Sequence, residues 1–209
     1  MIYIGFDFSC NKPAITVLKN NKLEFYFFPL EIDKISIQKL YDANINVFNR
    51  KRCEVVDNAT SSDKFRWHIK MANELSEYII NVLKPIIGDE EVSIAFEGSS
   101  FGSKGDAGLQ LAGYRFILVN ELGKLYGLHN IYTYAPLTIK SVAGCASKDN
   151  RGKDSMIKAF SVKDINHQFN NILKTNPEIL KKKTNFVAGI DDLVDSYWVL
   201  QTMRIKENN

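Results

Sequence analysis

Cysteine and histidine are scarce, with three of each in 209 residues. Cys10, Cys53 and Cys145 form no CxxC pair and leave one thiol over in any disulfide scheme, which argues against a disulfide-stapled secreted scaffold and suits a reducing compartment. His68, His129 and His167 are scattered without metal-ligand spacing and read as packing or surface residues. No apolar run approaches the ~18 residues that a membrane span needs. The opening Met1-Ile2-Tyr3-Ile4-Gly5-Phe6-Asp7 lacks a basic stretch followed by a long apolar one, so the expectation is a soluble, cytoplasmic protein without a membrane segment. A Pro/Gly-rich linker is missing, as is any repeat of 20 to 50 residues. Excess charge is missing too: 27 Lys and Arg face 24 Asp and Glu, a net +3. That balance permits nucleic-acid binding without demonstrating it, so local clustering has to carry the argument.

What is present is an ordinary globular composition, 45% hydrophobic and 24% charged. The length fits a single hydrophobic core, which is comfortable up to ~250 residues. Residues 1–209 are therefore expected to form one α/β domain, with a loop-rich basic insert at about 31–62. Alternating, β-rich segments at residues 2–8, 14–19 and 23–30 are separated by the turn signals Asn11-Lys12-Pro13 and Asn20-Asn21, and read as an antiparallel meander. From Asp63 to Leu83 apolar residues recur at helical spacing, with Ser62 or Asp63 as N-cap and Pro85 just past the end. Val92 to Glu97 is a compact buried strand that delivers Glu97 to the Gly/Ser-rich loop behind it. A helix over about 107–125, expected to bury Leu109, Leu111, Ala112, Phe116, Val119 and Leu122, leads to a strand at Ile131–Tyr134, and strand, helix, strand implies a parallel crossover. Further helices are expected from Lys153, from Ile165 and over Ile190 to Met203. Trp67 and Trp198 fall on helices and read as core.

The chemistry-bearing pattern is acidic. Asp7 ends the first strand, Glu97 ends the fourth, and Asp192 and Asp195 lie three apart at the start of the last helix, on one face. Singly, each has a bland role as a turn cap, a solvated strand end or a complement to a helix N-terminus. Brought together, four carboxylates repel one another and call for a cation, and an all-oxygen donor set favours Mg²⁺ or Mn²⁺ over zinc. Two such ions suit an in-line phosphodiester displacement, which needs neither cysteine nor histidine.

Gly5-Phe6-Asp7-Phe8-Ser9, Phe96-Glu97-Gly98 and Asp192-Leu193-Val194-Asp195 resemble the three acidic motifs of RuvC-type Holliday junction resolvases in the ribonuclease H-like superfamily. Ala135-Pro136-Leu137-Thr138-Ile139-Lys140-Ser141-Val142-Ala143-Gly144 is similar to that family's stretch leading to a catalytic-centre lysine, which maps onto Lys140. A second family lysine, opening a helix, maps onto Lys153. The resemblance runs from Ile2 to about Met203 in short islands. It implies a ribonuclease H-like α/β fold with a mixed five-stranded sheet, antiparallel meander then parallel strands, flanked by helices. It further implies metal ligation by Asp7, Glu97, Asp192 and Asp195, use of two Mg²⁺ or Mn²⁺ ions per site, phosphate contacts from Lys140 and Lys153, and a homodimer acting on branched, four-way DNA. Asp191 pairs with Asp195 at i, i+4 as well as Asp192 does at i, i+3. The loop from Cys145 to Gly152 is longer than the family's turn, so Lys148 and Arg151 remain alternatives to Lys153.

Arg50, Lys51 and Arg52, with Lys148 and Arg151, are candidate DNA-phosphate contacts. Phe101 is a candidate for stacking on unpaired bases, and the Lys181 to Lys183 run reads as a solvated face. The helix over 107–125, with Tyr114 and Phe116, is the candidate dimer interface. Competing readings are a nuclease for RNA-DNA hybrids or other branched DNA on the same scaffold, a non-catalytic DNA-binding module, and an actin-like nucleotide-binding fold, for which 209 residues is short.

Overall fold

A computed structural model describes residues 1–51, 60–98, 106–150 and 152–207, apart from the side chains of Asp106, Ala107 and Lys148. The chain opens with the expected meander: β1 (Ile2–Asp7), β2 (Ala14–Lys19) and β3 (Lys22–Phe27), paired antiparallel in sequence order. Asn20 and Asn21, with φ of 51° and 61°, close the second hairpin; a two-residue turn with both residues left-handed matches the twist of its strands. β5 (Val92–Glu97) lies parallel to β1, and β6 (Ile131–Tyr134) parallel to β5.

The sheet has six strands, not the expected five, in the order β4-β3-β2-β1-β5-β6. The extra strand comes from the segment read as loop-rich. There α1 (Lys34–Asp42), capped by the Asp33 carboxylate accepting from Ser36 N at 3.1 Å, delivers β4 (Asn46–Val47) alongside β3. Two residues are too few to show a period of two, so only pairing with β3 reveals the strand.

Strand side chains alternate between faces. Ile2, Ile4 and Phe6 of β1, with Ile94 and Phe96 of β5, are buried beneath α2 (Ser61–Ile87) and α3 (Asp106–Tyr126), against Leu75, Ile79, Leu83, Leu118 and Leu122. The opposite face carries Ala14, Phe25, Phe27 and Ala95 and is covered by α7 (Ile190–Glu207), packed outside by α4 (Pro136–Val142), α5 (Lys153–Ser161) and α6 (Gln168–Thr175). Trp198 belongs to this second core, while Trp67 is only partly buried at the edge of the first. A small ribbon of β7 (Lys181–Lys182) and β8 (Asn185–Phe186) precedes α7. Lys181 and Lys182 pair there with Glu178 and Asp33.

Two helix expectations are corrected. α2 starts two residues earlier, capped by Thr60 in a capping box with Asp63, and runs through Pro85 to Ile87. Burial of Ile87 offsets the hydrogen bond lost at the proline. In α3 the buried stripe is Tyr114, Leu118 and Leu122, while Leu109 and Phe116 are 75% and 66% exposed. The helix carries apolar residues on two faces, and its own sequence does not say which one meets the sheet. Among the described residues no helix is long and apolar enough to cross a membrane.

Candidate active site

Asp7 and Glu97 end adjacent parallel strands in register, since Phe6 pairs with Phe96. Those two phenyl rings stack at 4.5 Å inside the first core. By the alternation of strand side chains, Asp7 and Glu97 point to the other face, the one covered by α7.

That helix approaches β1 at a glycine. A Cβ on Gly5 would lie 2.3 Å from Ser196 O and 2.5 Å from Leu200 N, so any side chain there would force helix and strand apart. The Thr16 and Ser196 hydroxyls share a buried 2.7 Å hydrogen bond, and Ser196 Oγ also donates to Leu193 O at 2.8 Å, tying the helix to β2. The turn into α7 uses Gly189 at φ 97°, where a Cβ would strike the Phe27 ring at 2.3 Å. Asp192 and Asp195 share the sheet-facing side of α7 with Ser196 and so reach the ends of β1 and β5.

The electrostatics show how tightly the acids gather. Burial pushes the Asp7 carboxyl well above its ordinary range, and Asp192, Asp195, Glu97 and Asp191 push it further. Asp195 is raised to about 7 by burial and then by Glu97, Asp191 and Asp192. Asp192 is raised to about 6 by burial and Asp191, opposed by Lys153, Lys12 and a side-chain hydrogen bond with Asp7. Glu97 is raised by burial, against the pull of Lys140 and Arg115.

Of the two aspartates left open at the helix start, Asp192 adjoins Asp7, whereas Asp191 forms an ion pair with Lys153 at the rim. Among the described residues no group of three or more His, Cys, Asp or Glu side chains stands arranged to hold a metal ion. The acids thus form one desolvated, mutually repelling cluster rather than a finished coordination shell. Its chemistry fits a hard divalent cation: the donors are all oxygens, and their raised affinity for protons is a cost of negative charge that a cation would relieve.

Both mapped lysines come to this cluster, Lys140 from α4 within Coulombic reach of Glu97 and Lys153 from the first residue of α5. Sequence reasoning missed Arg115, whose Nη1 donates to Glu97 O at 2.8 Å, and Lys12, whose charge acts on Asp192. The only sequence signal for Arg115 is a single guanidinium in an otherwise apolar stretch of α3.

The expected DNA contacts fare differently. Arg50 is partly buried and spends donors on the protein, Nε to Phe28 O at 3.1 Å and Nη2 to Cys10 O at 2.8 Å, so it braces the β1–β2 turn. Lys51 is exposed. Arg52, Phe101, Arg151 and the Lys148 side chain lie outside the described residues.

No family model matches the sequence, and no curated protein matches it. Among solved structures the chain is similar to T. thermophilus RuvC in complex with a Holliday junction substrate, with TM-score 0.52 and 14% identity over 100% of this chain and 96% of that one. A second T. thermophilus RuvC structure gives TM-score 0.47 and 10% identity, covering 100% and 96%. The yeast mitochondrial Holliday junction resolvase Ydc2 gives 0.39 and 10%, covering 99% and 81%. A meander whose first strand ends in Asp7, beside a parallel strand ending in Glu97, defines the ribonuclease H-like class of folds. Within that class the chain has the RuvC-like fold.

Proposed function

We propose that this protein is a metal-dependent endonuclease that resolves four-way DNA junctions by paired nicks. The observation carrying the proposal is the gathering of Asp7, Glu97, Asp192 and Asp195 into one desolvated cluster flanked by Lys140 and Lys153, on a RuvC-like fold.

The four carboxylates would hold Mg²⁺ or Mn²⁺, two ions per site. When bound, these supply Lewis-acid activation of water and charge compensation at the attacking and leaving oxygens of an in-line displacement. The chain's own groups do the positioning. Arg115 holds the end of β5 through the Glu97 carbonyl, and the Gly5 contact holds α7 against β1, so the carboxylates are presented from rigid elements. Lys140 and Lys153 bring positive charge to the cluster, where the charge developing on a phosphate in flight needs it. Without them the acidic cleft would repel DNA.

A four-way junction offers two symmetry-related strands, and a two-fold dimer supplies two sites in matching geometry. Phe65, Ile69 and Leu109 line a groove of about 470 Å³ between the N-terminal halves of α2 and α3, and Phe116 lies exposed on α3. We assign this apolar face to a second copy of the chain. Tyr114, expected at that interface, packs on the first core and also forms part of the groove wall.

The test is cleavage of a synthetic four-way junction, a matched linear duplex and an RNA-DNA hybrid, with Mg²⁺ or EDTA, by the wild type and Asp7→Asn. Paired symmetric nicks confined to the junction, lost with EDTA and in the variant, are expected. Cleavage of hybrid or duplex instead would retain a nuclease and reject junction resolution, and tight junction binding without cleavage would reject catalysis.

A further inference from the structure

Beside the acidic cluster lies a second feature that phosphodiester hydrolysis does not use. A cavity of about 510 Å³ opens between the β1–β2 turn and the facing sides of α2 and α3, and Asp191, Asp192 and Lys153 form part of its wall. Whatever occupies it therefore lies next to the bond being cut. The rest of its lining is aromatic and amide-bearing. Trp67 and His68 come from α2, their rings edge to face at 4.9 Å, and His68 Nδ1 lies 3.3 Å from Tyr114 Oη on α3. Asn11 brings a carboxamide from the β1–β2 turn and Gln110 another from α3, and Lys12 brings a cation. Trp67 Nε1 is buried with no hydrogen-bond partner among the described residues, although an indole N–H in a protein interior usually finds one.

Flat aromatic surface, amides able both to donate and to accept, and cations at one end are the complement of a nucleobase joined to a phosphate. The volume is in the range that takes a small ligand whole, roughly 300 to 1,000 Å³. We propose that this cavity receives one unstacked nucleotide of the cleaved strand, adjacent to the scissile phosphate. The base lies against Trp67 and is read by Asn11 and Gln110, while Lys12 meets its phosphate. The inference rests on the junction-cleaving reading for its ligand, since the unpaired nucleotides at a branch point can enter such a cavity without the cost of melting a duplex. It also locates sequence preference at the cut site in side chains apart from the catalytic acids.

The protein contains two tryptophans, and Trp198 is buried at 2% exposure in the other core, so emission from a Trp198→Phe variant reports on Trp67 alone. This variant is titrated with a four-way junction with Ca²⁺ in place of Mg²⁺, then with junctions in which an abasic site is walked through the strand around the mapped nick, and with free deoxynucleoside monophosphates. A Trp67→Phe protein, which keeps Trp198, serves as the control. The intact junction is expected to quench Trp67 emission, and an abasic site at one or two positions beside the nick to abolish that quenching while the junction stays bound. Trp67→Ala is expected to weaken junction binding about 5- to 150-fold, the range set by loss of one base–aromatic stack, with Trp67→Phe retaining most of the affinity. Gln110→Ala, an exposed site with little bearing on folding, is expected to alter the base preference at the nick.

Junction binding with unchanged Trp67 emission and no loss of affinity in Trp67→Ala would overturn the pocket while leaving junction binding intact. Position-dependent quenching by another DNA, without junction binding, would support the pocket and reject the junction reading. Quenching by free mononucleotides with no response to any DNA would overturn the proposal in favour of a free-nucleotide site, and no response to either would overturn it outright.

Discussion

Replacing Asp195 by asparagine should make the protein more stable and inactive at once. Its carboxyl titrates near 7 instead of its ordinary 3.8, through burial and the neighbouring Glu97, Asp191 and Asp192. At about 1.4 kcal/mol per tenfold in proton affinity, ionising it in the folded protein costs at most roughly 4 kcal/mol, and about 2 kcal/mol once partial solvent screening is allowed for. The folded-state pKa is raised, so this group's contribution to stability is fully present below pH 3.8 and is lost as the pH rises through about 7. Asp192, near 6, acts with the same sign. In EDTA the wild-type Tm should fall between pH 5 and pH 8. Asp195→Asn should exceed it at pH 8 by about 4 to 8 °C, given ~2 to 4 °C per kcal/mol at this chain length, and by much less at pH 5, where the wild-type carboxyl is already protonated. Mg²⁺ at pH 8 should raise the wild-type Tm and raise that of the variant less. Thermal melts followed by circular dichroism measure all of this. A variant no more stable than the wild type at pH 8, or a gap equal at both pH values, would refute the idea that the cluster is held against its own repulsion.

Three other outcomes follow from the geometry. Gly5→Ala puts a methyl group into the backbone of α7, which cannot yield as a side chain can, so stability should drop by about 1 to 3 kcal/mol and junction cleavage at least tenfold; melts and nicking assays check both, and a variant like the wild type would reject that contact as the positioner of the acids. Asp191→Asn removes a half-buried partner of Lys153 and one of the charges pressing on Asp7, Asp192 and Asp195, two effects of opposite sign, so stability should change by less than about 1 kcal/mol and cleavage persist, whereas Asp192→Asn should abolish cleavage; the reverse pattern in a nicking assay would exchange their roles. Phe116→Glu together with Phe65→Glu should shift the protein to monomer in light scattering and uncouple the paired nicks, and an unchanged mass would remove this face as the dimer contact.

The sequence by itself determined the features that rest on short-range order. Period-two alternation located the meander and the strand ending in Glu97, helical period located α2, and motif order placed Asp7, Glu97, Asp192 and Asp195 at the ends of elements that a ribonuclease H-like sheet brings together. What it left open are choices between equivalent local patterns. Asp191 and Asp192 are both compatible with an acidic helix face, and only the close packing of α7 on Gly5 turns Asp192 to Asp7 and leaves Asp191 to Lys153. α3 carries two apolar stripes, and only its contact with α2 and the sheet decided that Leu118 and Leu122 go inside while Phe116 stays out. Arg50 looks like a surface cation until the carbonyls of Phe28 and Cys10, from two distant segments, converge on it. Arg115 and Lys12 show no motif because the groups they act on, Glu97 and Asp192, belong to other elements of the fold. β4 is a strand only because β3 offers it a free edge. Local periodicity follows from bonds between near neighbours, but rotation about a helix axis and the meeting of distant chain segments are decided by the packing of the whole core.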